Sequence, residues 1–148
     1  MTPEQVFSIA NGIAVVAWLM LVILPRQRWV IGTVTSLAVP ALFAIVYVGI
    51  VATTFGRTPG GFSTLGDVAT LFSNPWALLA GWIHYLAFDL LIGTWEARDA
   101  RERGVPHLVL VPCLVLTFLF GPAGWLLYMC VAWAAFSRRA AFSRRGRL

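Results

Sequence analysis

The side chains that could do chemistry are concentrated between residues 81 and 107. This stretch, GWIHYLAFDLLIGTWEARDARERGVPH, holds both histidines of the chain and four of its six acidic residues. They are His84, Asp89, Glu96, Asp99, Glu102 and His107. Ionisable side chains placed against hydrocarbon are costly, so function is sought first in this cluster.

Carboxylates and imidazoles in one cluster offer two kinds of chemistry. Asp89, Glu96 and His107, with His84 as a deeper alternative, are candidates for general acid and base catalysis. Asp89, Glu96, Asp99 and His107 are also candidate metal ligands, because their oxygen and nitrogen donors could converge at one membrane face. A third interpretation is structural, in which these groups pair with nearby arginines and cap helix ends. The spacing leaves all three open and does not determine a cofactor.

Helical geometry divides the cluster. At about 100° per residue, Asp89 and Glu96 lie about 20° apart around a helix, whereas His84 lies about 140° from Asp89. One stripe cannot hold all three, so we expect a central helix that shows polar side chains to at least two neighbours. We place His84 within the membrane, and Asp89, Glu96, Asp99 and His107 together near the end of the helix.

The elements that position these groups must be membrane helices. Hydrophobic residues make up 59% of the chain, charged residues 11%, and the mean hydropathy is +0.82. Such a composition is typical of a membrane protein. At about 20 residues per span, the chain has room for roughly four crossings. We predict an all-α, multi-pass transmembrane bundle of about four helices, with residues 1–137 as one domain and residues 138–148 as a basic interfacial tail.

Three of the predicted spans are uninterrupted. Residues 5–24 form the first, and the lack of a positive n-region and of a cleavage site argues against a signal peptide. Asn11 lies inside it, and we expect its amide to find a partner on a neighbouring helix. Pro40 should bend the second span. Gly81 and Gly93 should allow close helix approach in the third. The second and third spans are residues 30–53 and 76–97.

The last apolar segment is interrupted by the run Gly121-Pro122-Ala123-Gly124. Its two halves, residues 107–120 and 125–136, are each shorter than the usual minimum of about 17 residues per span. The segment is therefore either one long kinked crossing or a re-entrant helical hairpin. A hairpin would place ten of the eleven arginines on one side, which favours it. Helix length and the cost of broken backbone in lipid favour a crossing, which is the expectation we adopt.

Charge and composition also indicate the partners. Every basic residue is arginine, and the net charge of +5 is best explained by contact with anionic lipid head groups rather than with nucleic acid. Residues 54–75 are rich in Gly, Pro, Ser and Thr and predict a loop, with a short amphipathic helix over residues 62–72 at the membrane surface. Whether the chain forms homo- or hetero-oligomers is left open.

Several motifs in the second half of the chain resemble those of a known family, the abscisic-acid-deficient-four-like integral membrane proteins. The residues that carry the resemblance are His84-Tyr85, Phe88-Asp89, Glu96, Asp99, Pro106-His107, Pro112-Cys113 and Phe120-Gly121-Pro122-Ala123-Gly124. The resemblance implies four transmembrane helices. For plant members it also implies neoxanthin synthesis, the isomerisation of the epoxycarotenoid violaxanthin.

That isomerisation needs an acid to help open an epoxide and a base to remove a proton from the polyene. The resemblance therefore implies a neoxanthin synthase-like protein that isomerises or binds a carotenoid or other isoprenoid lipid. A non-catalytic pigment-binding, lipid-binding or assembly subunit is the alternative. The lack of a transit peptide and the arginine-rich tail favour a bacterial relative located in an inner membrane.

Overall fold

The computed structural model describes the backbone of residues 1–25 and 27–145, and the side chains of the same residues as far as Ser137. The described residues form six helices and no strand, which confirms the all-α class. Three of the helices, α1, α2 and α4, are long and apolar enough to cross a membrane. The six are α1 (Pro3–Ile23), α2 (Val30–Thr54), α3 (Leu65–Phe72), α4 (Pro75–Arg103), α5 (His107–Phe120) and α6 (Pro122–Arg145).

Helix α4 has capping residues at both ends that can be recognised in the sequence. The Asn74 side chain accepts hydrogen bonds from the backbone N–H groups of Trp76 and Ala77, and Pro75 occupies the first turn. The helix ends at Gly104, whose φ of 64° lies in the left-handed region that glycine tolerates best. These caps fix the register of the carboxylates that α4 carries.

Helix α4 is also the centre of the bundle, because it packs against every other described helix. Gly93 on α4 faces the ring of Trp18 on α1 so closely that a Cβ atom would overlap the ring. Gly81 likewise faces Phe72 of α3, with 3.0 Å between its ideal Cβ position and the nearest ring carbon. Both predicted close approaches are confirmed, and both depend on the missing side chain.

The first part of α2 departs from α-helical geometry. Residues Val30–Ala38 are π-helical, with hydrogen bonds that span five residues, as from Val39 N to Val34 O. Pro40 follows at once and has no N–H group to give to Thr35 O. The Thr94 hydroxyl of α4 lies 2.7 Å from Leu90 O of its own helix and 3.2 Å from Thr35 O, so it can donate to either oxygen. Pro40 therefore does more than bend the helix, because it leaves a carbonyl for a neighbouring helix.

The last two helices form a hairpin rather than a crossing. Helix α5 has 14 residues, or about 21 Å, and does not span a hydrocarbon core of about 30 Å. The chain turns at Gly121, where φ is 44°, and α6 then packs back along α5. Gly124 contacts the backbone of Thr117 so closely that any side chain would overlap it. The expected fourth crossing is therefore wrong, and the re-entrant alternative is correct.

Most arginines with described side chains lie at one end of the bundle, which we call the arginine end. Among the described residues, Arg28, Arg98, Arg101 and Arg103 lie there, while Arg57 follows α2 at the opposite end. These positions do not depend on the hairpin, because a crossing and a hairpin differ only in the side on which the tail arginines lie. The backbone of α6 runs to Arg145, but the predicted interfacial tail, residues 138–148, lies outside the described side chains.

Candidate functional site

One face of α4 carries residues at alternating intervals of four and three, a spacing that keeps them in one stripe. The hairpin packs on the part of this stripe toward the arginine end, through Thr117, Gly121 and Tyr128. We call the stripe the carboxyl face. Its members are Leu78, Trp82, Tyr85, Asp89, Ile92, Glu96, Asp99 and Arg103.

Asp99 lies at the arginine end and is fully paired. Its Oδ2 atom accepts a hydrogen bond from the Tyr128 hydroxyl at 2.6 Å. The same oxygen forms an ion pair with Arg103, one turn further along α4. The structural interpretation of the cluster therefore applies to Asp99, which joins α4 to α6.

Glu96 is completely buried between α4 and α5. The Thr117 hydroxyl lies 3.0 Å from Oε1 and 3.2 Å from Oε2, so it can donate to either oxygen. A buried carboxyl group needs such a partner because desolvation without one is costly. Glu96 is held in place by the hairpin and has no surface that a ligand could reach.

Asp89 occupies a different environment, midway between Pro75 and Arg103. About 21 Å of helix separates it from either end, so our placement of Asp89 in an end-of-helix group is wrong. Its carboxylate lies against the hairpin turn, since a Cβ atom on Gly121 would stand 3.1 Å from Oδ1 and 3.3 Å from Oδ2. Oδ2 is buried and accepts no hydrogen bond from any described residue. Asp89 is therefore a polar group at mid-depth without a structural partner for that oxygen.

Tyr85 lies one helical turn from Asp89 on the carboxyl face. Its hydroxyl donates to the backbone oxygen of Phe118 at 3.1 Å, which ties α4 to the end of α5. The Trp82 ring packs against Tyr85 at a centroid distance of 5.4 Å, and its indole N–H donates to Asn11 Oδ1 at 2.9 Å. The expected partner of Asn11 is thereby found on a neighbouring helix.

Beyond the hairpin turn, the carboxyl face is no longer covered by α5 and α6. Leu78 is 56% exposed and Trp82 is 39% exposed. A cavity of about 300 Å³ lies between the starts of α1 and α4, with Phe7, Leu78 and Trp82 in its wall. Phe7 and Trp82 pack at a centroid distance of 5.6 Å. We call the row of Phe7, Leu78, Trp82 and Tyr85 the aromatic groove. The cavity itself is lined as far as Trp82, and Tyr85 packs on Trp82 one helical turn before Asp89.

The two histidines lie apart from Asp89. His84 is exposed and packs between the rings of Tyr47 and Phe88, at centroid distances of 5.7 and 4.5 Å. His107 begins α5 at the arginine end, and its buried Nδ1 atom has no hydrogen-bond partner among the described residues. The angular separation of His84 from Asp89 is as predicted.

The predicted metal ligands are not brought together. Within the part of the chain that the structure describes, no three His, Cys, Asp or Glu side chains are close enough to hold a metal ion. Asp89, Glu96, Asp99 and His107 instead have separate environments: the hairpin turn, Thr117, Tyr128 with Arg103, and the start of α5. We derive no metal chemistry from them.

Sequence reasoning missed two members of the site, Tyr85 and Gly121. A signal was available for Tyr85, because it stands four residues before Asp89 and a helix places such residues side by side. Gly121 was recognised as part of a helix break and of a family motif, but not as a site residue. Its contact with Asp89 depends on how the hairpin folds back, which the local sequence does not encode.

Fold and site together define a class: a multi-pass helical membrane protein with three long helices, a helical hairpin and a carboxyl group at mid-depth. The model of the ABA DEFICIENT 4-like family matches residues 5–128, so the chain belongs to that family. The resemblance in its motifs is thus confirmed over most of its length. Neither the curated proteins nor the solved structures gave a match.

Proposed function

We propose that this protein isomerises a carotenoid or related isoprenoid lipid in the membrane, with Asp89 as the acid and base. The observation that carries the proposal is the buried Asp89 oxygen without a hydrogen-bond partner, in the middle of α4 and one helical turn from Tyr85. A polar atom without a partner in this position costs stability, and intramembrane ionisable residues commonly mark functional sites. Asp89 differs in this respect from Glu96 and Asp99, which the hairpin satisfies.

The aromatic groove is suited to a long apolar ligand. Its wall is made of the rings of Phe7, Trp82 and Tyr85, which follow one another at centroid distances below 6 Å. From Leu78 to Asp89 the carboxyl face extends along about 16 Å of helix. A polyene lying on these rings would carry its oxygenated end group toward the carboxyl group.

The chemistry follows from one carboxyl group used twice. In its protonated form, Asp89 gives its proton to the epoxide oxygen while the carbon–oxygen bond breaks. The carboxylate that remains takes a proton from a carbon of the polyene as the new double bond forms. No electrons are gained or lost, and Asp89 is restored. The Tyr85 hydroxyl, on the same face, donates to Phe118 O, so its oxygen is left to accept a hydrogen bond from the hydroxyl group that the opened epoxide forms.

The proposal narrows the original set of candidates. Glu96 is completely buried and engaged by Thr117, so we assign it a structural role. His84 faces α2 and His107 lies at the far end of α5, so neither is assigned to the reaction at Asp89. Asp99 is assigned to the link between α4 and α6.

The test is pigment conversion in a host that makes epoxycarotenoids. Asp89→Asn keeps the shape of the side chain and removes its acid–base function, so conversion should fall by about 10²-fold or more. Asp67→Asn, outside the long helices, is the matched control and should convert as the wild type does. Tyr85→Phe should give a smaller decrease. Normal conversion by Asp89→Asn at normal protein levels would overturn the catalytic role of Asp89.

The aromatic groove by itself also fits a non-catalytic pigment-binding protein. In that case the purified wild-type protein would show the absorption bands of a bound polyene, and the host would accumulate no isomerised product. Trp82→Ala should then release the pigment, whereas Asp89→Asn should retain it. Absorption spectra of the wild type and of these two variants therefore separate binding from catalysis.

A further inference from the structure

A second site lies at the arginine end, far from Asp89. Here the start of α2 and the end of α4 enclose a cleft of about 470 Å³. Its wall combines three arginines with one acidic and two small or apolar residues. They are Arg28, Arg98, Arg101, Glu102, Ile31 and Gly32.

A hydrogen bond joins the two helices that form the wall of the cleft. Arg98 donates from Nη2 to the backbone oxygen of Ile31 at 2.6 Å, which fixes α4 against the first turn of α2. Arg28 and Arg101 are exposed at the same cleft. Among the described residues, the ion pair found is that of Arg103 with Asp99, so none of the three cleft arginines is neutralised by a described carboxylate. Even with Glu102 counted, the cleft keeps an excess of positive charge.

The position of the cleft indicates its occupant. Helix α4 is about 43 Å long, more than a hydrocarbon core of about 30 Å, so its ends reach the head-group layer. Arginine-rich ends of membrane proteins face the cytoplasmic side, whose leaflet carries anionic lipids. Guanidinium groups bind phosphate through paired hydrogen bonds.

The floor of the cleft is open at Gly32. A Cβ atom built there meets no atom within 4 Å, so the glycine leaves space beside the arginines. This space is bordered by Ile31, whose side chain is packed in the core and whose backbone oxygen holds Arg98. Charge, depth and shape therefore point to the same kind of ligand.

We infer that this cleft binds the phosphate group of an anionic membrane lipid. The inference is independent of the reaction at Asp89, because the two sites lie at different depths and share no residue. Arg28 and Arg101 contribute binding charge, and Arg98 contributes charge and also joins α2 to α4. The lipid would then bridge the ends of two long helices.

Native mass spectrometry of the full chain, titrated with phosphatidylglycerol, tests the inference. We expect Arg28→Gln and Arg101→Gln each to weaken lipid binding about fivefold, and the double variant about 25-fold. Arg57→Gln removes the same charge at the opposite end and should bind as the wild type does. Gly32→Leu keeps every charge but fills the cleft, and should also weaken binding. The size-exclusion profile and helical content of each variant should match those of the wild type.

Three outcomes would overturn the inference. The first is equal binding by the double variant and Arg57→Gln. The second is equal affinity of the wild type for phosphatidylglycerol and for the zwitterionic phosphatidylcholine. The third is displacement of the lipid by inorganic phosphate at phosphate concentrations low enough to reflect binding in the cleft. That result would identify a soluble phosphate compound as the ligand.

Discussion

Gly121 lies against the carboxylate of Asp89, with 3.1 Å between the ideal Cβ position of the glycine and Oδ1 of the acid. The two residues belong to different parts of the chain, one to a hairpin turn and one to the middle of α4. Their contact places the hairpin turn at the depth of Asp89. Protein cover on the carboxyl face reaches Tyr85, whose hydroxyl bonds to Phe118 O, before Trp82 and Leu78 become exposed.

Gly121→Ala should therefore disturb the site as well as the fold. The residue has a φ of 44°, a backbone conformation that residues other than glycine rarely adopt. The new methyl group would also press on Asp89. We expect a loss of about 1–3 kcal/mol in the free energy of unfolding. Pigment conversion should fall by more than the accompanying decrease in folded protein explains.

Denaturant titration in detergent micelles measures the stability, and the host assay measures conversion. Gly12→Ala in α1 is the control, because a Cβ atom there meets nothing within 4 Å. It should leave both properties near the wild-type values. A Gly121→Ala protein with unchanged stability and conversion would contradict the role assigned to the contact.

The Thr117 hydroxyl should stabilise the hairpin through Glu96. Thr117→Val keeps the side-chain shape and leaves a buried carboxyl group without this donor, so we expect a loss of about 1–3 kcal/mol. Replacing both partners, with Glu96→Met added, should recover most of the loss because no buried polar group is left unpaired. Unfolding titrations of the single and double variants provide the measurement.

Thr53→Val is the matched control for that experiment. Its hydroxyl bonds only to backbone oxygens of its own helix among the described residues, at Gly49 and Ile50. Its removal should change stability by less than about 0.5 kcal/mol. If Thr117→Val were as mild as Thr53→Val, the Glu96 contact would contribute little to holding the hairpin.

Thr94 and Pro40 should be energetically coupled, although their side chains need not touch. Thr94→Val removes a donor to the Thr35 carbonyl and should cost about 0.6 kcal/mol, and at most about 1.7. In a Pro40→Ala background the cost should be smaller, because the added backbone N–H can supply the carbonyl instead. A double-mutant cycle on unfolding free energies measures the coupling, and an equal cost in both backgrounds would exclude it.

Much of the fold could be predicted from local patterns. The apolar segments, the caps at Asn74 and Gly104, and the opposite directions of His84 and Asp89 follow from composition and from helical periodicity. The family was also recognisable from short motifs around His84 and Gly121. These features depend on residues close together in the sequence, and local physics is sufficient to determine them.

The return path of the last segment was not predictable in the same way. Its length argued for a crossing and its arginine balance for a hairpin, and the two arguments are of similar strength. The structure resolves the conflict because Gly124 lets α6 pack directly on Thr117, and Tyr128 then reaches Asp99. Both contacts join residues on separate helices, so no local pattern reports them.

The sequence by itself determined that this is a helical membrane protein with acids and histidines gathered on and after one helix. Only the tertiary structure decided which of those acids is satisfied and which is not. Asp89, Glu96 and Asp99 look alike in the sequence and share one face of α4. Thr117 and Tyr128 bond to two of them, while Gly121, which has no side chain to offer, faces the third. A carboxyl group's partners come from other helices, and their positions are set by packing.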